Sequence, residues 1–158
     1  MDEITVAAWR TSYRGAVPDA VVEAQHTGPR GDFFRSQLPS EPPFHIAVAT
    51  AGSAVVGFVH VGPNRDDDDP LLSEIWGLYV APEHQRSGVG RTLILHAFKW
   101  IESVGGSEAT LWTLRDVDST RRFYEAMGGV WDRAEKSETV GGAVMAQVRY
   151  RFRFSDIA

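Results

Sequence analysis

The sequence predicts one α/β domain built on a mixed sheet, and three stretches carry that prediction. Residues 44–61, "FHIAVATAGSAVVGFVHV", place two β-rich segments around a small-residue turn. Residues 71–80, "LLSEIWGLYV", form a mostly apolar run of strand length that leads through a glycine turn into an amphipathic helix. Near the end of the chain, Val144, Ala146, Val148, Tyr150, Phe152 and Phe154 alternate with Met145, Gln147, Arg149, Arg151 and Arg153, a period of two with a charged outer face.

The remaining elements follow in order. Ala8, Trp9 and Tyr13 sit at helical spacing within "ITVAAWRTSY", Gly15 breaks the pattern, and Pro18-Asp19 opens a second short helix, "AVVEAQ". Residues 26–43 are rich in turn formers, and the hairpin that follows turns at Ala51-Gly52-Ser53. After the polar loop "GPNRDDDDP", residues 71–80 have the pattern of a central strand covered on both faces. From Gly90 an apolar stripe of Leu93, Ala97, Trp100, Ile101 and Val104 predicts a helix stopped at Gly105-Gly106. "EATLWTL" is a further strand, and Asp118-Ser119 can cap a helix carrying "TRRFYEAM" up to Gly128-Gly129.

Composition narrows the function. At 158 residues and 43% hydrophobic, the chain can bury a substantial core as a single domain over residues 1–158. No apolar stretch reaches the roughly 20 residues of a membrane span, and "MDEITVAAWR" lacks the basic start and apolar run of a signal peptide. With no cysteine, thiolate nucleophiles and disulfides drop out, and a cytoplasmic location is expected. The net charge of -5 argues against a general grip on nucleic acid. The five histidines form no His-Glu-x-x-His pattern, so no metal is expected.

The chemistry centres on "VAPEHQRSGVGRTL". A buried strand, a glycine turn and a helix in that order converge backbone N–H groups at the positive end of a helix dipole, which suits a phosphate. A Walker loop is ruled out because no Gly-Lys-Ser/Thr is present, and a dinucleotide fingerprint from Gly88 would need a small residue at Leu93. On spacing alone, a phosphate site and a glycine-permitted helix entry stay equally open.

Gln85-Arg86-Ser87-Gly88-Val89-Gly90 resembles the Gln/Arg-x-x-Gly-x-Gly/Ala signature of the Gcn5-related N-acetyltransferases, in the position where that family has it. "SEIWGLYV" is similar to the family's splayed central strand, "LWTLRDVDSTRRFYEAMGG" to its next strand and helix, and "WRTSYRGAVPD" to the first helix and turn of a bacterial, small-molecule branch. The resemblance implies a mostly antiparallel central sheet with a splayed strand and flanking helices. It also implies acetyl-CoA as cosubstrate, held by Leu78, Tyr79 and Val80, by Gln85, Arg86, Ser87, Gly88, Val89, Gly90 and Arg91, and by Phe123. Two departures stand out. The family's usual first strand is missing before "ITVAAW", which leaves a sheet edge where a homodimer contact is expected. Val117 replaces a cofactor-contacting asparagine, with Asp116 and Asp118 as candidate substitutes.

Acetyl transfer needs a neutral amine, yet an alkylamine has a pKa of about 10.4. The resemblance gives the proton-accepting role to Glu74 on the central strand, with His60 in reserve, and the proton-donating role toward the departing thiolate to Tyr124. Backbone N–H groups at Leu78 or Val80 would face the acetyl oxygen. Trp9, Tyr13, Arg14 and Trp76 would meet the acceptor. Asp66 to Asp69 read either as a solvated loop or as a steering field for a cationic amine. Without a cysteine or a Gly-x-Ser-x-Gly elbow, direct transfer in a ternary complex is expected, and the resemblance implies a small-molecule primary amine as the acceptor. The alternatives are a non-catalytic acyl-CoA-binding module and a peptide or protein acetyltransferase.

Overall fold

A computed structural model describes residues 1–24, 36, 38, 41–66, 69, 71–140 and 142–157. Helix α1 (Asp2–Ser12) begins two residues earlier than its apolar spacing predicts, because Asp2 and Glu3 favour a helix N-terminus. A turn through Gly15, at φ +80°, leads to α2 (Asp19–Ala24), and Gln25 of the predicted helix lies outside the described residues.

Strands β1 (His45–Ala51) and β2 (Ala54–Pro63) form the predicted hairpin, with Ala51 paired to Ala54. Strand β3 (Ser73–Val80) starts two residues later than the apolar run, since the amide of Leu72 is engaged in a turn to the Asp69 carbonyl. Helix α3 (Val89–Ser103) crosses from β3 to β4 (Glu108–Leu114), the kind of connection parallel neighbours need. Helix α4 (Asp118–Ala126) follows, then β5 (Val130–Val140) and β6 (Ala143–Arg153). The sheet order is β1-β2-β3-β4-β6-β5, antiparallel except for β3 with β4.

Cross-strand partners share a face. Val59 and Leu78, and Val61 and Ile75, lie on the α3 side, where Ile94, Ala97, Ile101, Leu111, Val148 and Phe152 are almost fully buried. Each large aliphatic in this layer contributes about 1.5–3 kcal/mol by leaving water. The opposite face carries Phe58, His60, Glu74 and Tyr79, and farther along it Leu114 and Met145 pack with Val17, Val21 and Val22.

Several sequence expectations need correction. The α3 stripe buries Ile94 and Phe98 rather than Val104, which is 48% exposed just beyond the helix end. Asp118 does not cap α4; Val117 holds that position and no side chain caps the end. Strand β5 escapes the period-two pattern because a register shift separates Trp131 from Glu135, with Arg133 at φ +73° between them. In β6 the alternation holds at Val148, Tyr150 and Phe152, but near the hairpin Met145 is buried while Val144 is 70% exposed. The supposed outer face is also covered at Arg149, which is only 8% exposed. Among the described residues β1 pairs with β2 alone, which leaves its other edge without a described strand.

Candidate active site

Four elements meet at a cavity of about 340 Å³: α1, through Ala8, Ser12 and the capping Tyr13, the end of β3 from Leu78 to Val80, and the starts of α3 and α4. The turn from Gln85 to Gly88 bends sharply, with Arg86 at φ +59° and Gly88 at φ +92°. Gln85 Nε2 donates to the Val80 carbonyl at 3.1 Å, and Ser87 Oγ donates to the His84 carbonyl, so the turn is tied back to the strand end. Thr92 makes the first intrahelical bond, to Gly88, so the amides of Val89, Gly90 and Arg91 have no helix acceptor, and no side chain caps them. Those N–H groups and the dipole behind them form an anion-binding end.

Gly90 admits close approach from α4. A Cβ there would stand 3.3 Å from the Phe123 ring, and the ring itself lines the cavity. Gly88 is required for conformation, because a β-branched residue is strained at its φ. Gly88→Val is expected to weaken acetyl-CoA binding at least about 30-fold while the fold persists, on the scale of losing several N–H contacts at about 1–3 kcal/mol each. Calorimetry together with circular dichroism checks this, and unchanged affinity would detach the turn from the cofactor.

Beyond the cavity, β3 and β4 pair only at Ser73 with Ala109 and Glu74 with Thr110, and then diverge. A smaller cavity of about 50 Å³ lies in the opening between them, walled by Trp76, Gly77, Trp112 and Thr113 and shared with Tyr13, Leu78, Tyr79 and Tyr124. Past Glu74, β3 has no ladder partner on the β4 side, so its backbone there can meet a ligand. Tyr124 borders both cavities. Burial, reinforced by Tyr79, pushes its hydroxyl pKa well above the ordinary value, so it stays protonated. Tyr13 is raised likewise, chiefly by burial and then by Tyr79 and Tyr124.

The model of the acetyltransferase (GNAT) family matches residues 6–129, which hold the turn, the splayed strand and Tyr124. The chain belongs to the acetyltransferase (GNAT) family. It is similar to YuaI, an uncharacterized N-acetyltransferase of Bacillus subtilis (strain 168), at 27% identity over 78% of this chain and 69% of that one. It is 32% identical to a mycothiol acetyltransferase of Pseudarthrobacter chlorophenolicus over 68% of this chain, and spans only 36% of that longer protein. Among solved structures, a Gcn5-related N-acetyltransferase of Rhodopseudomonas palustris superposes with a TM-score of 0.75 at 20% identity, covering 96% of this chain and 86% of that one. The PaiA N-acetyltransferase of Thermoplasma acidophilum, solved with coenzyme A, gives 0.70 at 22% identity over 96% and 89%.

Within this GNAT fold, most of the cofactor residues expected from the sequence converge: Leu78, Tyr79, Val80, Gln85, Arg86, Gly88, Gly90, Arg91 and Phe123 line the larger cavity, whereas Ser87 turns its hydroxyl to the His84 carbonyl and Val89 packs on the apolar core, and neither lines it. Ser119 and Thr120 were missed. They open α4 opposite the glycine turn, where Asp116 and Asp118 instead pair outward with Arg115 and Arg122. The Val117 side chain belongs to the apolar cluster under α2, and only its backbone carbonyl makes polar contacts, accepting from Thr120 Oγ1 and the Arg121 amide. Trp76 and Tyr13 reach the smaller cavity, whereas Trp9 packs edge-on against Tyr13 and lines neither cavity. Trp112, unassigned from sequence, is a wall of the same cavity.

Glu74 is neither exposed nor at the cavity. It is fully buried, and both its oxygens are taken by Arg65, through Nη2 at 2.5 Å, Nε at 3.1 Å and the backbone amide at 2.9 Å. Asp66 is likewise no free solvated charge: it accepts from Trp112 Nε1 and Arg149 Nη1, both at 2.9 Å, while Asp67 and Asp68 lie outside the described residues. Trp76 Nε1 donates to the Pro63 carbonyl. The end of β2 therefore orients Trp76, and the loop after it orients Trp112.

His60 is 3% exposed beside Trp76, and burial together with Arg65 lowers its pKa to about 4. A depressed histidine pKa means that the unfolded chain, near 6.5, binds a proton the folded chain refuses. Stability from this residue is complete above pH 6.5 and is lost progressively as pH falls from 6.5 through 4. Urea unfolding across that window should show a steeper loss for the parent than for His60→Gln, and equal slopes would refute the assignment.

Proposed function

We propose that this GNAT protein transfers the acetyl group of acetyl-CoA directly to a primary amine of a small molecule. The observation that carries the reading is the uncapped N-terminus of α3 opening on a cavity that shares Tyr124 with the gap between β3 and β4. The amides of Val89, Gly90 and Arg91 would hold the pyrophosphate, and the free backbone edge of β3 near Leu78 and Val80 would receive the pantetheine and acetyl groups. Acetyl-CoA, when bound, supplies the activated acyl group as a thioester. Tyr124 holds its proton against the departing sulfur, and Tyr13, Trp76 and Trp112 close off water at the acceptor side.

Glu74 supports this site by fixing Arg65, whose guanidinium lies 4.9 Å over the Trp76 ring. The geometry favours that positioning role over direct proton abstraction. His60, with its pKa near 4, is a weak base for an ammonium. The relatives, named as acetyltransferases, do not favour a non-catalytic module. The mycothiol acetyltransferases motivate the small-molecule acceptor and not its identity.

Calorimetric titration with acetyl-CoA, with ATP as control, followed by thiol release on adding amines, tests the reading. Binding with amine-dependent release is expected; failure of acetyl-CoA to bind would end it. In the same assay Glu74→Gln should raise the acceptor KM more than it lowers kcat, and a pH-rate profile that loses its acidic limb would return Glu74 to the role of base. We also assign the open edge of β1, where Val48 is 49% exposed, to a second copy of the chain. A monomeric mass by light scattering at working concentrations would remove that contact.

A further inference from the structure

The chain contains two lysines, Lys99 on the exposed side of α3 and Lys136 on β5. Both side chains are exposed, and they differ in what the amine touches. Lys136 Nζ lies 4.1 Å from the centroid of the Trp112 ring, and Trp112 is a wall of the cavity between β3 and β4. Among the described residues no carboxylate comes within ion-pair distance of this amine, although Asp66 and Glu74 act on it from farther off and each is engaged by an arginine. The indole covers part of the ammonium's hydration shell and returns the attraction of its π face.

The geometry points to Lys136 as an acetylation site of the protein itself, with the cavity's own acetyl-CoA as donor. This rests on the function proposed above. The neutral Nζ lone pair attacks the thioester carbonyl carbon; the N–C bond forms, the C–S bond breaks, and the bonding pair leaves with sulfur. The nitrogen gives up one proton and the sulfur gains one, leaving an Nε-acetyllysine and free coenzyme A. Desolvation on the indole, with Arg65 adding to it and Asp66, Glu74 and Glu138 opposing, lowers the Lys136 pKa and enlarges the neutral fraction that can react. Acetylation removes the charge over Trp112 and with it the cation–π contact at the acceptor wall, so the product is a chemically altered acceptor site.

The test uses the full chain with acetyl-CoA and no added amine, read by intact mass and by a proteolytic map of the two lysines. One acetyl group on Lys136 with Lys99 unmodified is expected, at a rate that saturates with acetyl-CoA and does not depend on protein concentration. Lys136→Arg should abolish the mass increase. Without any cofactor, the dimethyl resonances of reductively ¹³C-methylated Lys136 should titrate below the ordinary lysine value, and an ordinary value would overturn the premise. Comparable modification of both lysines, linear in acetyl-CoA, would mean bulk acylation and would also overturn the proposal. An unmodified Lys136 in a sample that still acetylates a free amine would sink this inference alone, whereas a chain that binds no acetyl-CoA would sink it together with the proposed function.

Discussion

Tyr124→Phe is expected to lower kcat by about two to three orders of magnitude while leaving the KM for acetyl-CoA within a few-fold, the range of a lost general acid. The substitution deletes one oxygen and keeps the ring, so the packing of Tyr124 against Phe123, Tyr150 and Phe152 survives. Burial keeps the hydroxyl protonated throughout the working range, which makes it a donor to a leaving thiolate and a poor acceptor from an ammonium. The split between kcat and KM separates this role from packing alone, because a structural tyrosine would change neither, or both together through stability. A kcat within twofold of the parent, measured with a saturating acceptor by thiol release, would assign the proton to another group. Tyr13 is the nearest alternative, since it borders both cavities and is also held protonated.

Tyr124 and the glycine turn were legible in the sequence because each depends on local order: a strand, a turn with two glycines, then helices whose apolar spacing is intact. The hairpin of β1 and β2 was legible for the same reason. What escaped depends on long-range neighbours. Strand β5 lost its period at Asp132-Arg133-Ala134, where the chain bulges between Trp131 and Glu135. Arg149 sits on the face its alternation predicts, but the residues that cover it come from Asp66, 83 positions away. Glu74 shows the same limit: the strand position was right, while its partner, Arg65, lies in a loop whose polar sequence reads as solvated. Trp112 looked like one more strand aromatic, and only the divergence of β3 from β4 exposes it to a cavity.

That long-range layer carries the second large effect. Arg149→Met is expected to destabilise the fold by about 3–5 kcal/mol, the scale for removing one partner of a buried ionic cluster. Arg149 Nε donates to Asp132 at 2.7 Å and Nη1 donates to Asp66 at 2.9 Å, and the three side chains are 9%, 16% and 22% exposed. The methionine stem fills similar volume, so the loss comes from two carboxylates left facing each other without the cation between them, and not from a void. Arg151, 3.8 Å from Asp132, can compensate only in part because it is already bonded to Glu108 at 2.8 Å. Replacing Arg149, Asp66 and Asp132 together by apolar residues of like volume should recover much of the stability, since no buried charge is then orphaned. It should not recover acceptor binding, because Asp66 also fixes the Trp112 indole at 2.9 Å. Urea unfolding with acceptor KM on the single and triple variants separates the two consequences. If the single variant unfolds within about 1 kcal/mol of the parent, the cluster is no more than a surface ion-pair network.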